Sequence, residues 1–241
     1  MRLIVTRPRE DARALGRRLT TAGHSVIAAP LLSIRRIAEA PIPERPYQAV
    51  LITSANGARA IAGRRELERL KAATAFVVGP SSAAAAAKAG FARIEIAGGD
   101  VAALARRAVQ LLRPDDGPLL YVSGAVTAGE LAATLAASGF EVDRVIAYVA
   151  SPAEALPKRC ATALAAGKID GVILFSPRTA RIWATLVTAA GLAPTAARLV
   201  HYCLSQNVAA MVRNTLGAGV TVEVARRPDE AALLEMLPTP G

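Results

Sequence analysis

Cysteine, histidine and aromatic residues are scarce in this chain of 241 residues, and each scarcity removes a class of protein. Only Cys160 and Cys203 are present, far apart and in no C-x-x-C pair, so neither a disulfide framework nor a cysteine zinc site is encoded. Two buried free thiols are expected instead. The two histidines, His24 in a turn after Gly23 and His201 in an apolar run, have no Ser-His-Asp spacing around them, which argues against a catalytic triad. Four Phe, four Tyr and one Trp are too few for a base-stacking surface. Trp183 falls within a helical pattern, where core packing accounts for it. Long apolar runs are missing too: "MRLIVTRPRE" is stopped by Thr6, Arg7 and Pro8, too early for a membrane span or a signal segment. The chain reads as soluble and cytoplasmic.

What the chain does have is apolar content, 53% hydrophobic against 20% charged, which excludes a disordered protein and allows one large domain or two small ones. Its 29 Lys and Arg outnumber 19 Asp and Glu, a net charge of +10 that favours anionic partners. Ten short apolar runs alternate with helical patterns: "LIVT", "SVIAAP", "AVLITS", "AFVVG", "RIEIAG", "LLYVSG", "VDRVIAYVA", "GVILFS", "LVHYCLS" and "VTVEVA". That alternation is the mark of parallel sheets covered by helices, and ten strands divide best into two sheets of about five.

Helix signals fill the intervals. Pro8, Glu10 and Asp11 open a segment whose Ala12, Leu15, Leu19 and Ala22 share a face and which Gly23 ends. "TAGE" at Thr127 to Glu130 reads as a capping box. "SSAAAAAKAG" from Ser81 reads as a serine-capped polyalanine helix ended by Gly90. The patterns also repeat. "TRPREDARALGRRLTTAGHSV" aligns with "SGAVTAGELAATLAASGFEV", bringing Gly23 onto Gly139. Ser54 then falls on Ser176, and Asp100 on Asp229, in conserved order, as a duplicated α/β unit requires.

The repeat includes a hydroxyl residue after an apolar run, as in "LITSANGARAI" and "LFSPRTARI". In a parallel sheet the carboxyl ends of the strands and the positive starts of the following helices share one edge, and a hydroxyl there helps to hold carboxylate or phosphate. Such residues recur at Thr6, Thr53 and Ser54, Ser81 and Ser82, Ser123, Ser176, and Ser205 with Asn207. Each taken alone is an ordinary helix cap; together they favour a ligand with several anionic groups. Gly79 to Ser82 is no phosphate loop of the Walker type, because the lysine is absent.

Several of these stretches, "LIVTRP", "PLLSI", "LITSANGA", "VVGPSSAAAA" and "VIAY", in their order and spacing over nearly the whole chain, resemble the uroporphyrinogen-III synthase family. The resemblance implies an α/β fold of two flavodoxin-like parallel-sheet domains joined by a two-stranded linker. Domain one would be residues 1–33 with 151–241, domain two 38–146, and the linkers 34–37 and 147–150. It implies a monomeric cytoplasmic lyase of heme biosynthesis that cyclises and dehydrates hydroxymethylbilane, a linear tetrapyrrole polycarboxylate, inverting the last ring. No cofactor or metal, nucleic acid or membrane partner is implied.

Residue by residue, Tyr148 matches a tyrosine proposed to help the hydroxyl leave, a weak acid titrating near about 10 when unperturbed; the alternative is a linker aromatic closing the hinge. Thr53, Ser54, Ser81, Ser82, Ser176 and Ser205, with Asn207, Arg7 and Arg178, are the candidate substrate contacts, although Arg178 could equally reach solvent. Ser205 to Val208 departs from the family's glycine and threonine, and "VSGAVTAG" lacks an arginine that some members carry. Two other readings stay open: a non-catalytic two-lobed protein binding anions or tetrapyrroles, and a phosphate- or nucleotide-binding enzyme of flavodoxin-like type.

Overall fold

The computed structural model describes residues 1–127 and 130–238. The chain runs β1 (Arg2–Val5), α1 (Arg9–Thr21), β2 (Ser25–Ala28), β3 (Leu32–Arg36), β4 (Ala49–Ile52), α2 (Ala55–Ile61), α3 (Leu67–Leu70) and β5 (Thr74–Val77). There follow α4 (Pro80–Ala89), β6 (Ile94–Ile96), α5 (Val101–Leu111), β7 (Leu119–Gly124), α6 (Leu131–Ala137) and β8 (Val142–Pro152). The last part holds α7 (Lys158–Ala165), β9 (Gly171–Leu174), α8 (Pro177–Ala189), α9 (Ala193–Ala196), β10 (Val200–Cys203), α10 (Gln206–Leu216), β11 (Val222–Val224) and α11 (Glu230–Glu235).

Two compact units result. One joins Met1–Ser33 to the chain from Ser151 onward; the other is Ile34–Ala150. The first unit holds a five-stranded sheet in the order β11-β10-β9-β1-β2, parallel at each junction. Numbered along the chain within the unit, that is the doubly wound order 2-1-3-4-5. The second unit holds six strands, β3-β8-β7-β4-β5-β6. Without β3, its spatial order is the same arrangement with the chain entering at a different strand: β7 and β8 stand where β1 and β2 stand in the first unit, and β4, β5 and β6 where β9, β10 and β11 stand. The duplication extends to local geometry. Gly23 and Gly139 both end a helix–strand turn at positive φ, 83° and 87°, and Asp100 and Asp229 cap α5 and α11 by accepting from Ala103 N at 2.9 Å and Ala232 N at 2.8 Å.

All ten apolar runs are strands. The eleventh strand, β3, lies in the stretch expected as a linker. Leu31 accepts from Ala153 and Ala147 accepts from Ile37; the partners run in opposite directions, so β3 adds to β8 as an antiparallel edge.

The runs are continuously apolar because both faces of each sheet are covered. In the first unit Leu3 and Val5 pack with Leu15, Leu19 and Leu233, from α1 and α11, while Ile4, between them, faces Trp183, Val187, Val208 and Val212 of α8 and α10. In the second, Val50 and Ile52 meet Ala58, Ile61 and Ala86 of α2 and α4, and Ala49 and Leu51 meet Leu104, Ala108, Leu131 and Leu135 of α5 and α6. Gly57 lets α2 approach β7 closely: a methyl group there would stand 3.1 Å from the Val122 carbonyl oxygen.

Three local expectations need correction. Ala22 is exposed, because α1 stops at Thr21 and Ala22 is its cap. The polyalanine helix is not serine-capped: Gly79 is the N-cap and Pro80 the first helical residue, which places Ser81 and Ser82 inside the first turn. The Thr127 to Glu130 box includes Ala128 and Gly129, outside the described residues, and Glu130 precedes α6 without a side-chain cap.

Candidate functional site

In the 2-1-3-4-5 arrangement the sheet's switch point lies between β1 and β9 in the first unit and between β7 and β4 in the second, and ligands of open α/β sheets bind beyond the strand ends there. Of the expected site residues, Arg7, Ser176, Arg178, Thr53 and Ser54 follow switch-point strands, and the others follow or lie on the strands beside them. In the first unit, Thr6 and Arg7 follow β1 while Phe175, Ser176 and Arg178 follow β9, and Ser205 and Asn207 follow β10. The second unit places Thr53 and Ser54 after β4, Ser81 and Ser82 after β5, and Ser123 and Gly124 at the end of β7, with Tyr148 beside them on β8.

The hydroxyls differ in what they already bond. Ser54 and Ser176 are helix caps. Ser54 Oγ accepts from Asn56 N at 3.2 Å, and Ser176 Oγ accepts from Thr179 N at 3.1 Å while Thr179 Oγ1 accepts from Ser176 N at 3.2 Å, a complete capping box. Thr6 and Ser123 turn inward: Thr6 Oγ1 donates to the Ile173 carbonyl at 2.7 Å and is 1% exposed, and Ser123, also 1% exposed, donates to Val145 O at 3.4 Å. These two belong to the sheet rather than to a ligand. Ser205 is the N-cap of α10 without a side-chain capping bond, with Asn207 exposed and Val208 buried just inside the helix. Ser82 is buried on α4, Ser81 exposed. Thr53 Oγ1 lies 3.4 Å from the hydroxyl of Tyr121, a residue that sequence reasoning passed over.

Arg7 is held in place. Nη1 reaches Glu230 at 2.6 Å, Nη2 reaches Asp11 at 3.0 Å, and the guanidinium stacks 4.6 Å from the ring centre of Phe175. Glu230 also pairs with Arg18. Two carboxylates therefore offset much of the charge that Arg7 brings to the edge. Arg178 is half-buried.

An arginine reaches the β7 turn from the next strand. Arg144, on β8, donates from Nε to Ser123 Oγ at 3.0 Å and from Nη2 to Gly124 O at 3.1 Å. Its only sequence signal was a charge inside the apolar run "VDRVIAYVA". The cysteines are structural: burial pushes the Cys160 thiol up to about 11 and the Cys203 thiol to about 12, so neither supplies a thiolate.

The fold and these edges define a class: a two-unit α/β protein that gathers hydroxyls, helix starts and arginines at the carboxyl ends of its parallel strands. The chain belongs to the uroporphyrinogen-III synthase family, enzymes of tetrapyrrole biosynthesis in the lyase class; the family model described as uroporphyrinogen-III synthase HemD matches residues 13–235. Among solved structures it resembles uroporphyrinogen-III synthetase from Helicobacter pylori at 16% identity, with 98% of each chain covered and a TM-score of 0.64. It also resembles a mutant uroporphyrinogen III synthase from the extremely thermophilic bacterium Thermus thermophilus at 17% identity, with 98% of this chain and 96% of that one covered and a TM-score of 0.54. At those identities the likeness is one of fold. No curated protein matched by sequence. No helix among the described residues is long and apolar enough to cross a membrane.

Proposed function

We propose that this protein converts hydroxymethylbilane to uroporphyrinogen III, as a monomer in the cytoplasm, with 1–33 plus 151–241 and 38–146 acting as its domains and 34–37 and 147–150 as linkers. The observation that carries the reading is the family match over residues 13–235, on a chain whose strand ends present the donors that a polycarboxylate needs. The reaction loses the terminal hydroxyl of the linear substrate as water. The resulting azafulvene cation is attacked by the far ring at its substituted carbon, the spiro intermediate reopens, and closure at the other carbon leaves that ring inverted.

Folding the substrate matters more here than strong acid or base, since the reacting carbons belong to one molecule and must meet in one geometry. Thr53, Ser54, Ser81 and Ser82 on the second unit, and Arg7, Ser176, Arg178, Ser205 and Asn207 on the first, hold carboxylates in this reading. Helix starts with hydroxyl donors do so without a free cation for each carboxylate. That suits an edge where Arg7 is already shared with Asp11 and Glu230. The Tyr148 phenol donates to the departing hydroxyl.

Purified protein mixed with freshly prepared hydroxymethylbilane tests the reading. The type III isomer is expected to exceed the type I product that forms spontaneously. Product consisting of type I alone, with the bilane still bound, would leave a tetrapyrrole-binding protein and overturn it.

A further inference from the structure

The end of β7 is shaped around a neighbour's side chain. β7 and β8 pair in step from Leu119↔Val142 to Ser123↔Ile146 and then slip, so that Gly124 faces Tyr148 and Ala147 is the extra residue of a bulge. Side chains alternate between the faces of a sheet, so this slip decides which face Tyr148 takes: in unbroken register Ala147 would face Gly124 and the phenol would point the other way. The main chain is held on both sides of the slip, by Ala125 N donating to Tyr148 O at 2.9 Å and by Arg144 on Ser123 Oγ and Gly124 O.

The Tyr148 ring then lies on Gly124. A methyl group at Gly124 would stand 2.8 Å from Cζ, 2.9 Å from Cε2 and 3.1 Å from the hydroxyl oxygen. All three belong to the outer end of the phenol, so the missing side chain makes room for the hydroxyl's position rather than for the backbone. Backbone conformation does not require glycine here, since Gly124 is not among the residues of positive φ.

We infer that Gly124 is a positioning residue for the reaction: with the bulge, it sets the Tyr148 hydroxyl against the end of β7, on the sheet face that Tyr148 shares with Ile52 and Val122. The inference rests on the proposed role of Tyr148. A methyl group at Gly124 would push the outer end of the ring away by about 1 Å, and a displacement of that size at a reacting group costs up to about 10²-fold in rate.

Four proteins test it: the parent, Gly124→Ala, Tyr148→Phe and the double variant, each assayed for kcat, KM and type III yield, with melting temperature alongside. Tyr148→Phe is expected to slow type III formation by about 10²-fold or somewhat less, the low end for a general acid. Gly124→Ala is expected to lower kcat by about tenfold, and by no more than Tyr148→Phe does, with KM and melting temperature near the parent's. In the double variant the alanine should cost nothing further, because there is no hydroxyl left to misplace. A parental rate for Gly124→Ala, or the same slowing by the alanine in both backgrounds, would overturn the inference. If Tyr148→Phe itself keeps the parental rate, the catalytic role of Tyr148 falls and the kinetic part of the inference with it. The placement is then judged separately by fluorine NMR on 3-fluorotyrosine-labelled protein, where the Tyr148 signal is assigned by its loss in Tyr148→Phe. That signal should shift in Gly124→Ala, and an unmoved signal would show that Gly124 does not position the ring.

Discussion

His201 is fully buried in the first unit's sheet, and its Nε2 has no hydrogen-bond partner among the described residues. Its Nδ1 lies 3.3 Å from the Thr221 carbonyl oxygen. Burial holds its pKa below the ordinary histidine value, only partly offset by the backbone carbonyls of Thr221 and Leu199. In the unfolded chain the same ring titrates near about 6.5. Below that pH the unfolded state takes up a proton that the native state refuses, so stability is undiminished at pH 7 and above and falls on acidification, by at most about 1.4 kcal/mol per pH unit from this group. His24, whose pKa is lowered by burial and by the nearby amino terminus, pulls in the same direction. Melting temperatures measured from pH 8 to pH 5 should therefore decline below pH 6.5, and His201→Gln should flatten the decline even if it lowers the overall value. An equal slope in the variant would place the acid sensitivity elsewhere.

At the scale of elements, α8 shows how firmly a strand-end turn is built. Ser176 and Thr179 satisfy each other's backbone N–H groups and Pro177 takes the first helical position, where no N–H is needed. Ser176→Ala removes that cap and should cost about 0.5–2 kcal/mol. The cost should appear as a lower melting temperature, about 2–4 °C per kcal/mol in a chain of this size. A loss of product affinity without a loss of stability would instead mark Ser176 as a substrate contact first. Features of this kind are legible in the sequence, because a cap and the residue it serves are three positions apart. The ten apolar strands are legible for a related reason, since burial on both faces leaves no polar alternation to interrupt a run. β3 is not legible as an apolar run, because as a half-exposed edge it mixes Ser33, Arg35 and Arg36 among its apolar residues; only the two-stranded linker that the family resemblance implies points to a strand there. The polyalanine helix begins earlier than its serines suggest, because Gly79 and Pro80 supply the cap and first position that a serine cap would otherwise fill. Within the site, the inward turn of Thr6 and Ser123, the arrival of Arg144 at the β7 turn and the seat of Tyr148 on Gly124 all depend on which strands are neighbours and in what register. No local spacing carries that information.

In the whole molecule the sheet order makes the first unit depend on both ends of the chain. β1 lies between β2 and β9, and residues 1–33 supply Leu3, Val5, Ala12, Leu15 and Leu19 to one face of its core. The second unit, by contrast, has all its strands within one continuous stretch. A fragment of residues 32–152 should accordingly melt cooperatively by circular dichroism, whereas residues 151–241 should not until a peptide of residues 1–33 is added. Cooperative melting of 151–241 alone would show that β1 is dispensable. The same order has a consequence during synthesis. On the ribosome β1 and β2 emerge before the rest of their sheet, but the partner that closes the other side of β1, beginning at Gly171, is translated well over a hundred residues later, a wait of roughly 8–33 s at about 5–20 residues/s. For that interval the apolar stretch Leu3 to Val5 is a nascent-chain liability with its permanent neighbour unmade, while the whole second unit can condense behind it. Chaperone shielding of the first 33 residues would cover this one kinetic gap, and a slow codon run placed after residue 150 would lengthen it.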